Sequence, residues 1–138
     1  ASQSVLKALP QDKSLDEEEF VDIDGDGIVD IAIKQIMGPL FFGSADGFQK
    51  LAKKIPDSAK IVVLRLETMN YIDQSGLYAL EETLVDFSEQ GKSIYLVALK
   101  KQPKYMMQSV EMVPKLIPQE NIFEIVKNII RMELIFEK

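Results

Sequence analysis

Hydrophobic and polar positions alternate in short blocks whose period changes several times along the chain. Residues 15–24, LDEEEFVDID, hold few apolar positions, and Phe20, Val21 and Ile23 suggest a short edge strand. DGDG then signals a turn. Over residues 28–37, Val29, Ile31 and Ile33 alternate with Asp30, Ala32 and Lys34, which predicts a half-buried strand and the second arm of a hairpin. After GPLFFG, Ser44 is placed to cap a helix whose apolar stripe is Ala45, Phe48, Leu51, Ala52 and Ile55, with Pro56 ending it. Residues 61–66 are almost continuously apolar, as in a strand covered on both faces.

A second helix is predicted from near Ser75. Leu77, Leu80, Leu84 and Phe87 fall on one side, Glu81, Glu82, Asp86 and Glu89 on the other, and Gly91 suits the first position beyond the C-cap. Residues 93–99 read as another buried strand, residues 103–110 as a short helix, and Leu116 and Ile117 as a brief strand. A last helix over residues 121–135 would bury Ile122, Ile125, Val126, Ile129 and Ile130. The order predicts an α/β sandwich with parallel neighbouring strands joined by right-handed crossovers. Residues 1–14 read as a polar linker or lead-in to a single domain over residues 15–138. The sequence carries no internal repeat.

The 138 residues are 46% hydrophobic and 28% charged, which suits one domain with a sizeable core. No run approaches the roughly 18 apolar residues of a membrane-spanning helix. A start at Ala1 with no apolar core behind it suggests an excised or processed segment without a signal peptide. The net charge of −6 argues against nucleic acid as a partner. With no cysteine and no histidine, disulfides, thiolate chemistry and the commonest general base and metal ligand are all missing.

Two stretches could carry chemistry. In DIDGDGIVD, Asp22, Asp24, Asp26 and Gly27 match positions 1, 3, 5 and 6 of a calcium loop, and Asp30 falls at position 9. Position 12, which needs a bidentate Glu, is Ile33, and the strand-like alternation leaves no room for an exiting helix. A hairpin turn is the better reading, and no metal is expected. No paired acid and base at a strand end accompanies these carboxylates. The second stretch is NYIDQSGLYAL, residues 70–80, where the chain leaves a buried strand and enters a helix. Functional loops of α/β sheets gather beyond the carboxyl ends of the strands. Ser75 would stand beside unpaired N–H groups at the helix start, either as an N-cap with Asp73 stabilising the turn or as a modified or contacted residue.

With these residues in view, VVLRLETMNYIDQSGLYAL followed by a helix and SIYLVAL resembles a STAS domain (sulfate transporter and anti-sigma factor antagonist). Asp73, Gln74, Ser75 and Gly76 match that family's Asp-x-Ser/Thr-Gly. GPLFFGSADGF, residues 38–48, and LIPQENIFEIVKNII resemble the version at the cytoplasmic C-terminus of SulP anion transporters. The resemblance implies a mixed sheet of four to five strands with an N-terminal hairpin and helices packed on one side. It implies a non-catalytic regulatory module at the cytoplasmic face of the membrane, supporting sulfate or related anion transport and following the transporter's membrane domain in the native chain.

The membrane domain would be the partner, with other cytoplasmic proteins or a second copy as further candidates. Asp73, Gln74, Ser75, Gly76 and Tyr78 are the expected contact or phosphorylation residues, with Phe41 and Phe42 as partner-facing aromatics. The family's antagonist branch offers the alternative of a free-standing anti-sigma factor antagonist switched by phosphate on Ser75. No cofactor is expected, and no Gly-x-x-x-x-Gly-Lys-Ser/Thr supports a nucleotide. Leu134, Ile135 and Phe136 in the tail would dock on the core or on another copy.

Overall fold

The computed structural model describes residues 18–37 and 50–124. Strands β1 (Glu18–Val21), β2 (Ile31–Gln35), β3 (Ile61–Arg65), β4 (Ser93–Val97) and β5 (Ile122–Phe123) lie side by side in chain order in one sheet. β1 and β2 run antiparallel, with Phe20 opposite Ala32, and the remaining pairs are parallel. Helices α1 (Gln74–Glu89), α2 (Lys101–Ser109) and α3 (Met112–Lys115) fall between the later strands.

The apolar runs become two cores because successive strand residues point to opposite faces. Ala32, Val62, Leu64, Ile94 and Leu96 face the described helices and meet Leu77, Leu80, Leu84, Phe87, Met107 and Met112. Ile31, Ile33, Val63, Tyr95 and Val97 form the second cluster on the other face, where the Tyr95 and Phe123 rings stack 6.1 Å apart. Each fully buried Leu or Phe of α1 contributes about 2 kcal/mol of transfer free energy. The described helices therefore lie on one side of a mixed five-stranded sheet, as expected.

Several elements differ in detail. β2 is buried on both faces, with Ala32 at 0% and Lys34 at 1% exposure, because Ala32 packs in the helix-side cluster and Ile31 and Ile33 in the cluster on the other face. Lys34 keeps its ammonium over the Phe20 ring, 4.5 Å from the centroid. Val29, expected beside Ile31 and Ile33, packs instead against the helix-side cluster, since the extended ladder begins only at Ile31. Leu116 and Ile117 form a turn in which Ile117 is fully buried, and the brief strand lies later, where Ile122 and Phe123 pair with Leu96 and Val97. Ile122 is thus a strand residue and not the start of a helix. The helix after β4 stops at Ser109, and the shorter α3, which holds non-helical Val113, follows. Of the first predicted helix, residues 50–53 are helical, Leu51 and Ala52 pack on the helix-side core, and Ile55 is buried. Ala45, Phe48, the Ser44 cap, Ile125, Val126, Ile129, Ile130, the tail and residues 1–14 lie outside the described residues.

α1 ends as its glycine predicts. Gly91, at φ +81°, follows the C-cap, the Gly91 N–H donates to Ser88 O, and the Lys92 N–H donates to Phe87 O. This turn sends the Lys92 side chain under the sheet's amino-terminal edge. Its Nζ donates to Pro56 O, Asp57 O and Ala59 O at 3.2, 3.1 and 2.7 Å. Burial holds its pKa below the ordinary lysine value, with Asp57 pulling the other way. Replacing Lys92 with Met keeps the stem but removes the donor to Asp57 O and Ala59 O, while Pro56 O keeps the Ala59 N–H, and unsatisfied groups of this kind cost on the order of 2 kcal/mol in sum. Urea unfolding of Lys92→Met should show a loss of unfolding free energy of that size, whereas exposed Lys60→Met should stay within about 0.5 kcal/mol of the parent.

Candidate functional site

The carboxyl ends of β2, β3 and β4 emerge on one edge, where the chain crosses from β3 to α1 through residues 66–73. Backbone in such a crossing has no regular ladder to satisfy it, so individual backbone and side-chain bonds must do so. The Leu66 N–H donates to Val97 O at 2.9 Å, and the Met69 N–H to Leu66 O at 3.0 Å. Met69 and Ile72 are both fully buried and anchor the loop from below. The Thr68 hydroxyl donates to Ile36 O at 3.1 Å, which fixes the loop to the end of β2. Gln102, on the first turn of α2, grips Ile72 from the other side. Its Oε1 accepts from the Ile72 N–H at 2.9 Å and its Nε2 donates to Ile72 O at 3.0 Å. Arg65, nearly buried at the end of β3, pairs with Glu67 through the Oε2 atom.

Asp73 then starts α1. Its backbone is extended, and its Oδ1 accepts the Gly76 N–H at 2.8 Å. Asp73 is therefore the N-cap, and Ser75, the other reading for that role, sits in the first helical turn. The reason is reach, because a cap side chain bonds two or three residues ahead and Asp73 already holds Gly76. Ser75 is half-buried, and among the described residues nothing hydrogen-bonds its side chain. Gln74 is exposed and donates through Nε2 to the Tyr78 hydroxyl at 2.9 Å, one helical turn on. Tyr78 is 50% exposed and Tyr71 45%. Gly76 is buried against the core. The result is a braced ledge that presents Gln74, Ser75, Tyr78 and Tyr71. Phe41 and Phe42 lie outside the described residues.

The acidic loop is at the opposite edge of the sheet. Asp22, Asp24, Asp26 and Asp30 bring one carboxylate oxygen each to within 4.8 Å of one another. These carboxylates build the turn. Asp22 accepts from Gly25 N and Gly27 N at 2.9 and 2.7 Å, Asp26 from Ile28 N, and Asp30 from Ile23 N. Gly25 and Gly27 take positive φ, as the turn demands. Desolvation works to raise the Asp22 pKa, but hydrogen bonds from Gly27, Gly25 and Asp26 hold it below the ordinary carboxylate value. For Asp24 a backbone hydrogen bond lowers the pKa, and desolvation with repulsion from Asp26, Asp30 and Asp22 outweighs it, leaving the pKa raised. Ile33, at the twelfth position of the calcium pattern, is 1% exposed inside β2, so no exiting helix follows the loop.

A family model described as STAS domain matches residues 22–129. The chain belongs to the STAS family. Its sequence is 26% identical over 111 residues to the bicarbonate transporter BicA of Synechocystis, covering 80% of this chain and 19% of that protein. This STAS domain thus spans about a fifth of its curated relative. Among solved structures, a sulfate transporter family protein from Wolinella succinogenes is 26% identical with a TM-score of 0.67, covering 78% of this chain and 88% of the other. A candidate anti-sigma factor antagonist from Thermotoga maritima shares the fold, with a TM-score of 0.63 at 17% identity over 83% of this chain and 91% of that one.

The parts of the ledge that sequence reasoning missed are its braces. Thr68 and Gln102 act across the fold, on groups up to 32 residues away in sequence, and no local pattern marks them or the Arg65–Glu67 pair. A separate test follows for the two candidate caps of this STAS domain. Asp73→Ala should cost about 1 kcal/mol by loss of the cap. Ser75→Ala should change stability by less than about 0.5 kcal/mol. Urea unfolding of both variants reads the difference, and the reverse order would return the capping role to Ser75.

Proposed function

We propose that this STAS domain is a non-catalytic interaction module of a SulP-type transporter for sulfate or a related small anion, bicarbonate included, held at the cytoplasmic face of the membrane. The observation that carries the reading is the 26% identity to the Wolinella sulfate transporter family protein across 88% of its length. The match to a fifth of BicA agrees with it, because the rest of that protein is where a membrane domain would reside. The ledge at residues 71–78 is the contact surface. Its backbone is held by Asp73, Thr68 and Gln102, so a partner would meet Gln74, Ser75 and Tyr78 with little ordering cost.

The half-exposed Ser75 hydroxyl at the start of a 16-residue helix also favours a second reading, a phosphorylation-switched antagonist. A phosphate there would meet the first-turn N–H groups and the positive end of the helix dipole, against repulsion from Asp73. Incubating the chain with ATP and the kinase of a neighbouring gene should then phosphorylate Ser75 and leave Ser75→Ala untouched, and an unmodified Ser75 overturns this reading.

For the transporter reading, the native gene should encode about ten or more apolar helices ahead of Ala1. The purified membrane portion should bind this chain, and Tyr78→Ala with Gln74→Ala should weaken that complex roughly tenfold or more with the fold unchanged. A gene without those helices overturns the reading, and a complex indifferent to both substitutions overturns the assignment of the ledge.

A further inference from the structure

We infer that the start of α2 and the adjoining Tyr71 form a docking surface for anionic lipid headgroups. The inference rests on the transporter reading for its setting, and its evidence lies in a different part of the molecule from the ledge residues 73–78. In a chain of net charge −6, residues 91–110 contain Lys92, Lys100, Lys101 and Lys104 and neither Asp nor Glu. Lys92 is consumed inside the fold by three carbonyls. The other three are not. Lys100 and Lys101 are exposed and Lys104 is half-buried. Among the described residues none of these three ammonium groups joins an ion pair, whereas Lys115 is paired with Glu111 on α3 at 2.8 Å.

Aromatic side chains complete the surface. Tyr105, one turn beyond Lys101, is 68% exposed, and Pro103 and Met107 anchor the opposite side of α2 in the core. The Gln102 amide grips Ile72, so Tyr71, 45% exposed, is held beside the first turn of α2. Three uncompensated lysines with two outward tyrosines on a rigid support match the composition of a membrane interface. Lysine stems cover apolar surface while their heads reach phosphate, and tyrosine sits at headgroup level. The patch holds no arginine, the residue whose planar fork suits specific carboxylate partners, and lysine is depleted in the cores of protein interfaces. A diffuse lipid surface therefore fits better than an acidic protein. Exposed carboxylates elsewhere among the described residues, such as Asp24, Asp26, Glu82 and Asp86, would be repelled by the same leaflet.

Sedimentation of the 138-residue chain with vesicles tests this, using phosphatidylcholine alone and phosphatidylcholine with about a third phosphatidylglycerol, at low salt. Binding is expected only to the anionic vesicles. Neutralising each of Lys100, Lys101 and Lys104 by Gln should reduce partitioning about fivefold, and all three together about a hundredfold. The triple variant Lys50→Gln, Lys53→Gln, Lys60→Gln makes the same charge change at exposed lysines elsewhere and should lose little. The chain has no tryptophan, so Tyr105→Trp supplies a single reporter whose emission should move to the blue with anionic vesicles only. Circular dichroism of each variant checks that the fold persists.

Equal binding to both vesicle types, an equal loss in the two triple variants, or an unmoved emission from the Tyr105→Trp variant overturns the inference. So does an acidic protein partner that is lost on neutralising the three lysines while vesicle binding stays absent. A native gene with membrane helices and a chain that ignores anionic vesicles would sink only this inference. A gene without such helices and a chain that binds them would sink only the transporter reading.

Discussion

The two-sided burial of β3 is the constraint on which the rest of the structure depends. Its neighbours β2 and β4 occupy both edges in parallel, so every residue from Ile61 to Leu64 feeds one core or the other. A parallel strand cannot return by a tight turn, and the chain must cross a layer before it can pair again. That requirement creates the loop at residues 66–73 and places it at the carboxyl edge of the sheet. It also forces α1 onto the helix-side face, where Leu77, Leu80, Leu84 and Phe87 close the core.

The loop that results makes a backbone bond of its own, Met69 N–H to Leu66 O, and the fold braces it from three directions. Thr68 reaches β2, Gln102 reaches in from α2, and Asp73 holds the first turn of α1. The consequence for function is stiffness. Residues that would be mobile in an unsupported loop are presented in one arrangement, with Tyr78 and Gln74 bonded to each other on the helix surface. A ledge of this kind is suited to recognition, because little freedom is lost on contact. The Asp73 carboxylate, for its part, caps the helix through the Gly76 N–H.

Charge is divided by the fold into structural and surface roles. Lys34 lies inside the sheet over an aromatic ring, and Lys92 is spent on three carbonyls at the amino-terminal edge. Asp22, Asp26 and Asp30 accept backbone N–H groups in the hairpin turn. Among the described residues Lys100, Lys101 and Lys104 join no ion pair, and they lie at the start of α2, at the same edge as the ledge. The ledge at the strand ends and the basic, aromatic helix start are thus two separate features of one edge of this STAS domain.

Much of this was legible in the chain before any coordinates. Alternation over residues 28–37, apolar runs at 61–66 and 93–99 and the 3.6-residue period of α1 located those elements, and Gly91 marked the helix end because only glycine adopts positive φ there without cost. The turn at Gly25 and Gly27 and the place of Asp73–Gly76 at a strand end were local facts, and local patterns carry them. What the sequence left open depended on partners distant in the chain. The alternation predicts a half-buried strand with Lys34 on its polar face, yet Lys34 is buried in β2, and Val29 packs against the helix-side core ahead of that strand. Ile117 looks like strand and packs as a core turn, since pairing with β4 falls to Ile122 and Phe123. The choice of Asp73 over Ser75 as cap, and of Gln102 as the clamp on Ile72, was decided only when tertiary packing fixed which polar groups came within hydrogen-bonding distance. Periodicity reports which side of an element is apolar, and only the assembled layers decide what stands opposite it.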